Sequence, residues 1–122
     1  MKREERAAQI WPLLTFAASL RATLTYGRLG ELIGAPPVAL GDWLEPIQSY
    51  CLLHNLPALT VLVVSDADGL PGEGFTGAEN VPRAQADVFR HDWPRQHVPT
   101  PHELALAVAE RPSNAVRPAV RP

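Results

Sequence analysis

Few residues of this 122-residue chain combine a reactive side chain with neighbours that could activate it, and its one cysteine is the first candidate. Cys51 continues an apolar pattern that includes Leu44 and Ile47 at helical spacing, and the sequence places no base beside it. A thiol acts as a nucleophile through its thiolate, which needs a base or a positive environment. The pattern therefore predicts a buried, inert Cys51, and a single cysteine excludes an internal disulfide.

Histidines and aspartates are the next candidates, because both side chains bind metal ions. His91, His97 and His102 are six and five residues apart, which matches neither helical spacing nor the usual spacing of zinc ligands. Asp66 and Asp68 precede a glycine in a turn, but the later ligands of a calcium loop do not follow. We therefore predict no metal site, no cofactor and no catalytic residue.

Charge is distributed unevenly along the chain, although the net charge is only −2. Residues 1–34 have a net charge of +2, residues 35–75 of −5, and residues 76–122 of +1. The middle segment contains five acidic residues and neither lysine nor arginine. This balance gives the protein no general attraction to nucleic acids or anionic membranes, so such contacts would depend on local groups of arginines.

The spacing of apolar residues predicts a helix-turn-helix in the first half of the chain. A helix is expected over residues 3–21, and Pro12 either kinks it or begins a second helix. A short helix over residues 25–34 has Thr25 as its N-cap and a glycine at its end. A proline-rich turn at residues 35–37 leads into a long helix to residue 54, and its internal Pro46 predicts either a kink or two nearly collinear helices that meet near Glu45.

The second half predicts a hairpin followed by further helices. A buried strand at residues 59–64, a polar turn and an irregular return strand to residue 75 would form a wing. Helices are expected over residues 82–91 and 100–110, the latter beginning with a capping box. The sequence thus predicts an α+β fold. We expect a mostly helical winged-helix-like domain over residues 1–110, with one β-hairpin and C-terminal helices. A flexible Pro/Arg-rich tail is expected at residues 111–122.

Four short motifs follow one another in a characteristic order. They are Thr25-Tyr26-Gly27, Gly34-Ala35-Pro36, Asn55-Leu56-Pro57, and a valine pair followed by a glycine-rich hairpin. With these motifs, residues 25–75 resemble the winged-helix DNA-binding half of the alkylguanine-DNA alkyltransferases and alkyltransferase-like proteins. The resemblance implies a helix-turn-helix with a wing, and a role associated with DNA.

The same resemblance implies no alkyl transfer. The family's Pro-Cys-His-Arg motif is replaced here by Leu59, Thr60, Val61 and Leu62, so the thiolate, its histidine and the arginine are missing. A threonine without an adjacent base is not an activated nucleophile. The family's second helix also carries an arginine that enters the duplex, and the matching position here is near Leu40. A wider pattern at residues 10–14 and 88–93 resembles small bacterial proteins and implies no activity.

A non-catalytic winged-helix binding module associated with double-stranded DNA is the first functional hypothesis. The second helix and the wing offer acids where such a domain usually offers bases to phosphate. Any DNA contacts would therefore come from other residues, mainly on the N-terminal side and in the arginine-containing tail. The candidates are Arg3, Arg6, Arg21, Tyr26 and Arg28.

A protein-interaction or regulatory module that uses an acidic helix-wing face is the alternative hypothesis. Trp43, Tyr50 and Trp93 would then be aromatic anchors for the partner. The alternative for Trp43 and Tyr50, which the sequence favours, is packing inside the domain against the strands. The sequence has no signal peptide and no run of about 20 apolar residues, so we expect a cytoplasmic protein without membrane contact.

Overall fold

The computed structural model describes residues 1–72 and 80–110, and within them the chain is mostly helical with two short strands. This confirms the predicted α+β class. The elements are α1 (Arg3–Ser19), β1 (Leu24–Thr25), α2 (Tyr26–Ile33), α3 (Leu40–Leu53), β2 (Val63–Val64), α4 (Val81–Arg90) and α5 (Pro101–Glu110). The predicted tail at residues 111–122 and the end of the predicted wing lie outside the described residues.

The core forms where α1, α3 and α5 pack against one another. Helix α1 has apolar residues at helical spacing, so Ala7, Ile10 and Leu14 share one face and are fully buried. The helix continues through Pro12 as one element, so that residue does not begin a second helix. Pro12 is exposed, and water can serve the carbonyl that lacks its usual helical donor there.

Helix α2 begins and ends at the residues that the sequence predicts. The Thr25 hydroxyl accepts a hydrogen bond from the Arg28 N–H at 3.0 Å, which confirms Thr25 as the N-cap. Gly34 ends the helix with a φ of 71°, in the left-handed region that glycine adopts without strain. Both ends of this short helix are therefore fixed by local interactions.

A close approach of the backbone at Gly30 shapes the turn after α2. A Cβ at this position would lie 2.5 Å from the Ala35 carbonyl oxygen, so only glycine permits the turn to fold back so tightly. A 3₁₀ turn, Pro37–Ala39, then precedes α3. Helix α3 therefore begins after this 3₁₀ turn, and it continues through Pro46 as a single helix.

The predicted strand at residues 59–64 is mostly wrong. Leu59–Leu62 is a 3₁₀ helix, and only β2 is extended. Both segments are buried among the helices, and in Leu59–Leu62 the apolar composition reflects this burial rather than strand pairing. Strand β2 pairs in parallel with β1, and Leu24 lies opposite Val63. The sequence analysis did not anticipate this pairing.

A hairpin follows β2, and it is tied to the helix-turn-helix. Val64 forms an antiparallel bridge with Pro71, which closes the polar turn between them. In that turn, the Asp66 carboxylate accepts a hydrogen bond from the Gly27 N–H at 3.1 Å. The hairpin turn thus caps the start of α2, where free backbone N–H groups and the helix dipole favour a negative charge.

Helices α4 and α5 begin at side-chain caps. The Asn80 amide oxygen accepts a hydrogen bond from the Arg83 N–H at 3.0 Å. Thr100 and Glu103 form the predicted capping box, since each side chain accepts a hydrogen bond from the other residue's backbone N–H, at 3.1 and 2.8 Å. Helix α5 then packs against both α1 and α3.

Candidate functional site

The two positions considered for a nucleophile lie inside the core. Cys51 is buried, and burial raises the pKa of its thiol to about 12, so the thiolate is scarce at neutral pH. Thr60 stands where the resembling family has its cysteine. Its hydroxyl is buried and has no hydrogen-bond partner, so no base adjoins it. The environment of both side chains is unfavourable for covalent chemistry.

Two of the histidines considered as metal ligands, His91 and His97, are hydrogen-bonded to different partners. A ring nitrogen of His91 is hydrogen-bonded to the Gln96 side chain at 2.8 Å. A ring nitrogen of His97 lies 2.8 Å from a carboxylate oxygen of Glu103. Within residues 1–72 and 80–110, no three His, Cys, Asp or Glu side chains come together as a metal site requires.

Arg3, the first of the predicted DNA contacts, binds α3 instead. Its guanidinium lies 3.0 Å from the Glu45 carboxylate and 3.3 Å from that of Asp42, and it also pairs with Glu4. These contacts join α1 to the start of α3. They also neutralise part of the negative charge that made the second helix unsuitable for phosphate.

Arg6 is likewise engaged within the domain. Its guanidinium lies over the Trp43 ring, 5.0 Å from the ring centroid, in a cation–π arrangement. It also donates a hydrogen bond to the Ile33 carbonyl at 3.4 Å, at the end of α2. Arg6 and Trp43 thus connect α1, α2 and α3, and the half-buried Trp43 is covered on one face by this arginine.

The remaining predicted DNA contacts differ in their surroundings. Arg28 forms an exposed ion pair with Glu31 at 3.2 Å. The Tyr26 hydroxyl is half-buried, which raises its pKa, and it is hydrogen-bonded to the Gly72 backbone in the hairpin. Arg21 is exposed, has a φ of 54°, and has no side-chain partner among the described residues. The structure does not bring the five residues together into one basic site.

Two of the three residues predicted as aromatic anchors, Tyr50 and Trp93, are buried. Tyr50 and Trp93 are each 5% exposed, and both make edge-on contacts with Trp11, with ring centroids 5.8 Å apart. The Trp93 indole N–H also donates to the Val88 carbonyl at 2.8 Å. These aromatic residues pack the core where α1, α3 and the segment after α4 meet.

The turn between α2 and α3 exposes apolar side chains that the sequence analysis missed. We call this surface the turn face. Val38 is 90% exposed and Leu32 is 50% exposed, while acidic side chains lie on either side in sequence. The turn face comprises Glu31, Leu32, Pro36, Pro37, Val38 and Asp42, all of them exposed. The adjacent prolines and valine in a predicted turn were the available signal, since such residues cannot all be buried in a tight connection.

A second exposed apolar feature is a groove along α1, which we call the α1 groove. Its volume is about 330 Å³, within the range of pockets that bind small ligands or side chains. Phe16, which lines it, is 64% exposed, and none of the described residues that line it is charged. The lining residues are Trp11, Pro12, Thr15, Phe16, Ser19, Trp93, Pro94 and Val98.

Comparison of the chain with protein-family models, with curated proteins and with solved structures finds no match. Among the described helices, none has the length and apolar character required to cross a bilayer.

Proposed function

We propose that this chain is a non-catalytic binding module whose helix-turn-helix recognises a protein partner through the turn face. The observation that carries the proposal is Val38, which projects almost fully into solvent from a rigid, proline-flanked turn. Large apolar side chains grouped on the surface of a small domain mark interaction sites. In this proposal the module acts in the cytoplasm.

The construction of the turn supports its use as a docking surface. The cap at Thr25, the left-handed Gly34 and the close approach at Gly30 restrict the backbone before any partner binds. A surface that is already ordered loses less conformational entropy on binding than a mobile loop. The turn face therefore presents Val38 and the neighbouring prolines as a preformed apolar contact surface, with the acidic side chains of Glu31 and Asp42 beside it.

The electrostatic contacts favour a protein over DNA as the partner. Affinity for DNA comes largely from lysine and arginine side chains against phosphate. Here Arg3 is held by two carboxylates of α3, and Arg6 is held by Trp43 and the end of α2. Releasing them to bind phosphate would expose acids beside the duplex and loosen the contact between α1 and α3.

DNA remains the second candidate partner, because of Arg21 and the resemblance of residues 25–75. Arg21 is exposed and has no side-chain partner in the described part of the chain. The ion pair of Arg28 with Glu31 is exposed and contributes at most about 1 kcal/mol, so phosphate could displace it. In this alternative, DNA contacts would come from Arg21, Tyr26 and Arg28 without disturbing the core.

Two measurements on the full chain test the choice. A photo-crosslinking amino acid is placed at Val38, and a matched control is placed at Leu106, which is exposed on α5. We expect a discrete protein adduct from position 38 only, and we expect it to disappear when Asp42 is changed to Lys. Fluorescence anisotropy with labelled double-stranded DNA is expected to show no binding at low salt.

The opposite pattern would favour DNA. Binding to the duplex that weakens steeply with salt and is lost in an Arg21→Gln/Arg28→Gln double variant, but survives Val38→Asp, would overturn the protein proposal. These two arginines are chosen because Arg3 and Arg6 also hold the helices together, so their replacement could not separate DNA contact from stability.

A further inference from the structure

The sequence that follows α5 combines positive charge with apolar side chains. Residues 111–122 contain three arginines and no acidic residue, so their side chains have a net charge of +3. Residues 115–118 and residues 119–122 both read Ala-Val-Arg-Pro, so the same apolar and basic pattern occurs twice. A surface that fits this segment must offer an apolar contact for valine and proline, with a carboxylate beside it for arginine.

The turn face has both of these properties. Val38 is 90% exposed, and it follows the exposed Pro36 and Pro37. The side chains of Glu31 and Asp42 on the same surface are 70% and 66% exposed. Each of them already lies near one arginine of the domain, but a carboxylate has several lone pairs and can accept a second guanidinium. The α1 groove fits residues 111–122 less well, because none of its described lining residues is charged.

The packing of α5 directs residues 111–122 towards the end of the domain that carries the turn face. Trp93, which precedes α5, and Tyr50, in the C-terminal half of α3, both contact the Trp11 ring. Burial, and then the nearby Glu103 carboxylate, raise the pKa of the Tyr50 hydroxyl, so the first turn of α5 lies close to Tyr50. Only three residues of α3 follow Tyr50, so α5 can pack along α3 only by running back towards its start.

The lengths of the two helices place the end of α5 near the turn face. At about 1.5 Å per residue, α5 advances about 10 Å from Glu103 to Glu110, and α3 covers about 12 Å from Tyr50 back to Asp42. The chain therefore leaves α5 at about the level of Asp42. At about 3.3 Å per extended residue, residues 111–117 can span about 20 Å, whereas at most about 14 Å of chain separates Asp42 from Val38.

We propose that residues 111–122 dock on the turn face of their own chain. The valines and prolines of the two Ala-Val-Arg-Pro units pack against Val38 and the prolines before it, and Arg117 or Arg121 pairs with the Asp42 carboxylate. Docking also brings a segment of net charge +3 to the part of the chain, residues 35–75, that has five acids and neither lysine nor arginine. Apolar contact and charge complementarity thus act on the same surface.

This inference rests on the proposed function, because it adds regulation to the surface that recognises the protein partner. The partner must displace residues 111–122, so it competes best when it presents an apolar side chain beside an arginine or a lysine. A second copy of the chain is a less favourable source of the segment. A segment tethered to its own site acts at an effective concentration on the order of millimolar, well above that of a second copy in dilute solution.

The test places a photo-crosslinking amino acid at Val38 of the purified full chain, and a matched variant carries it at Leu20. Leu20 is 61% exposed just after α1, whereas it is the beginning of α1 that contacts the start of α3. After irradiation, a glutamate-specific protease cleaves after Glu110 and releases residues 111–122 as one peptide for mass spectrometry. We expect this peptide to be crosslinked to position 38 and not to position 20. The product should be a monomer, and its yield should not change on dilution.

Substitutions within residues 111–122 separate the two kinds of contact. Arg117→Gln/Arg121→Gln should lower the crosslink yield about three- to tenfold, because exposed ion pairs are individually weak, and high salt should have the same effect on the wild type. Val116→Ser/Val120→Ser should also lower the yield, through loss of the apolar contact. The matched control is Asn114→Ala, which keeps every charge and both valines and should leave the yield unchanged.

Four results would overturn the proposal. They are the absence of a crosslink to residues 111–122, equal crosslinking from positions 38 and 20, an unchanged yield in the arginine double variant, and an adduct that forms only as a dimer whose yield rises with protein concentration. The last result would assign the turn face to a second copy of the chain.

The proposed function has a separate readout, which is the adduct between position 38 and a partner protein. A partner adduct without a crosslink to residues 111–122 would overturn this inference and leave the proposed function standing. A crosslink to residues 111–122 without a partner adduct, even in the arginine double variant, would do the reverse. If both are correct, the arginine double variant should increase the yield of the partner adduct, because the competing segment is weakened.

Discussion

Two glycines of the helix-turn-helix should respond in opposite ways to the same substitution. In Gly30→Ala, the new Cβ would lie 2.5 Å from the Ala35 carbonyl oxygen. In Gly41→Ala, the new Cβ would meet no heavy atom within 4 Å. Both positions are helical, so alanine should gain up to about 1 kcal/mol in helix propensity at each. The difference between them therefore reports the tight turn alone.

The size of this difference can be worked out from the contacts. Gly41→Ala should raise the free energy of unfolding by about 0.5–1 kcal/mol. Gly30→Ala gains the same amount but must displace backbone at Ala35, an overpacking cost of about 1–3 kcal/mol. The two variants should thus differ by about 2 kcal/mol, which corresponds to about 6–12 °C in Tm for a domain of this size.

Urea and thermal unfolding, followed by far-ultraviolet circular dichroism, measure both variants against the wild type. We expect Gly41→Ala to unfold at higher urea and Gly30→Ala at lower urea. Equal stabilisation by both substitutions would refute the close approach at Gly30, and with it the rigid turn on which the proposed docking surface depends. A crosslinker at Val38 should also lose its adduct in Gly30→Ala if the displaced turn no longer presents that side chain.

Three further predictions follow from the contacts of single side chains. Arg3→Gln should lower the free energy of unfolding by about 1 kcal/mol, because the ion pairs are partly exposed to solvent, and the loss should shrink when urea unfolding is repeated at high salt. Cys51 should resist iodoacetamide in the native protein, because burial raises the pKa of its thiol to about 12. In guanidinium it should react fully, and mass spectrometry would measure the extent of alkylation. Rapid alkylation of the native protein would contradict this prediction. The Thr100 N–H and then His97 lower the pKa of Glu103, so its stabilising contribution is present above the unfolded carboxyl pKa of about 4.3 and is lost as the pH falls through the lower native value. Glu103→Gln should accordingly show a smaller decline in unfolding free energy below about pH 4.3 than the wild type, and an unchanged pH profile would argue against this role.

The features that could be predicted from the sequence are those fixed within one turn of the chain. Thr25 as an N-cap, Gly34 as a left-handed helix end, and the Thr100–Glu103 capping box each depend on residues three or four positions apart. The burial of Cys51 followed from the helical period of its apolar neighbours. Such local rules hold because the interacting groups are always close together in a helix.

The features that the sequence did not reveal depend on residues far apart in the chain. Arg3 was expected to contact DNA because no local pattern shows that α3 places Asp42 and Glu45 beside it. Trp93 was predicted to be an aromatic anchor for a partner, whereas its ring packs against Trp11 in the core. Strand propensity was likewise overridden at residues 59–62, where burial between helices decided the conformation.

The packing of α1 against α5 has a consequence for how the protein is made. During translation, α1 emerges from the ribosome long before α5, which supplies part of the surface that buries its apolar face. Until α5 has left the ribosome, the apolar side chains of Ile10, Trp11 and Leu14 remain available to chaperones or to other chains. The domain therefore completes its core only after nearly the whole described chain has been synthesised, and slow decoding near α5 would prolong that vulnerable interval.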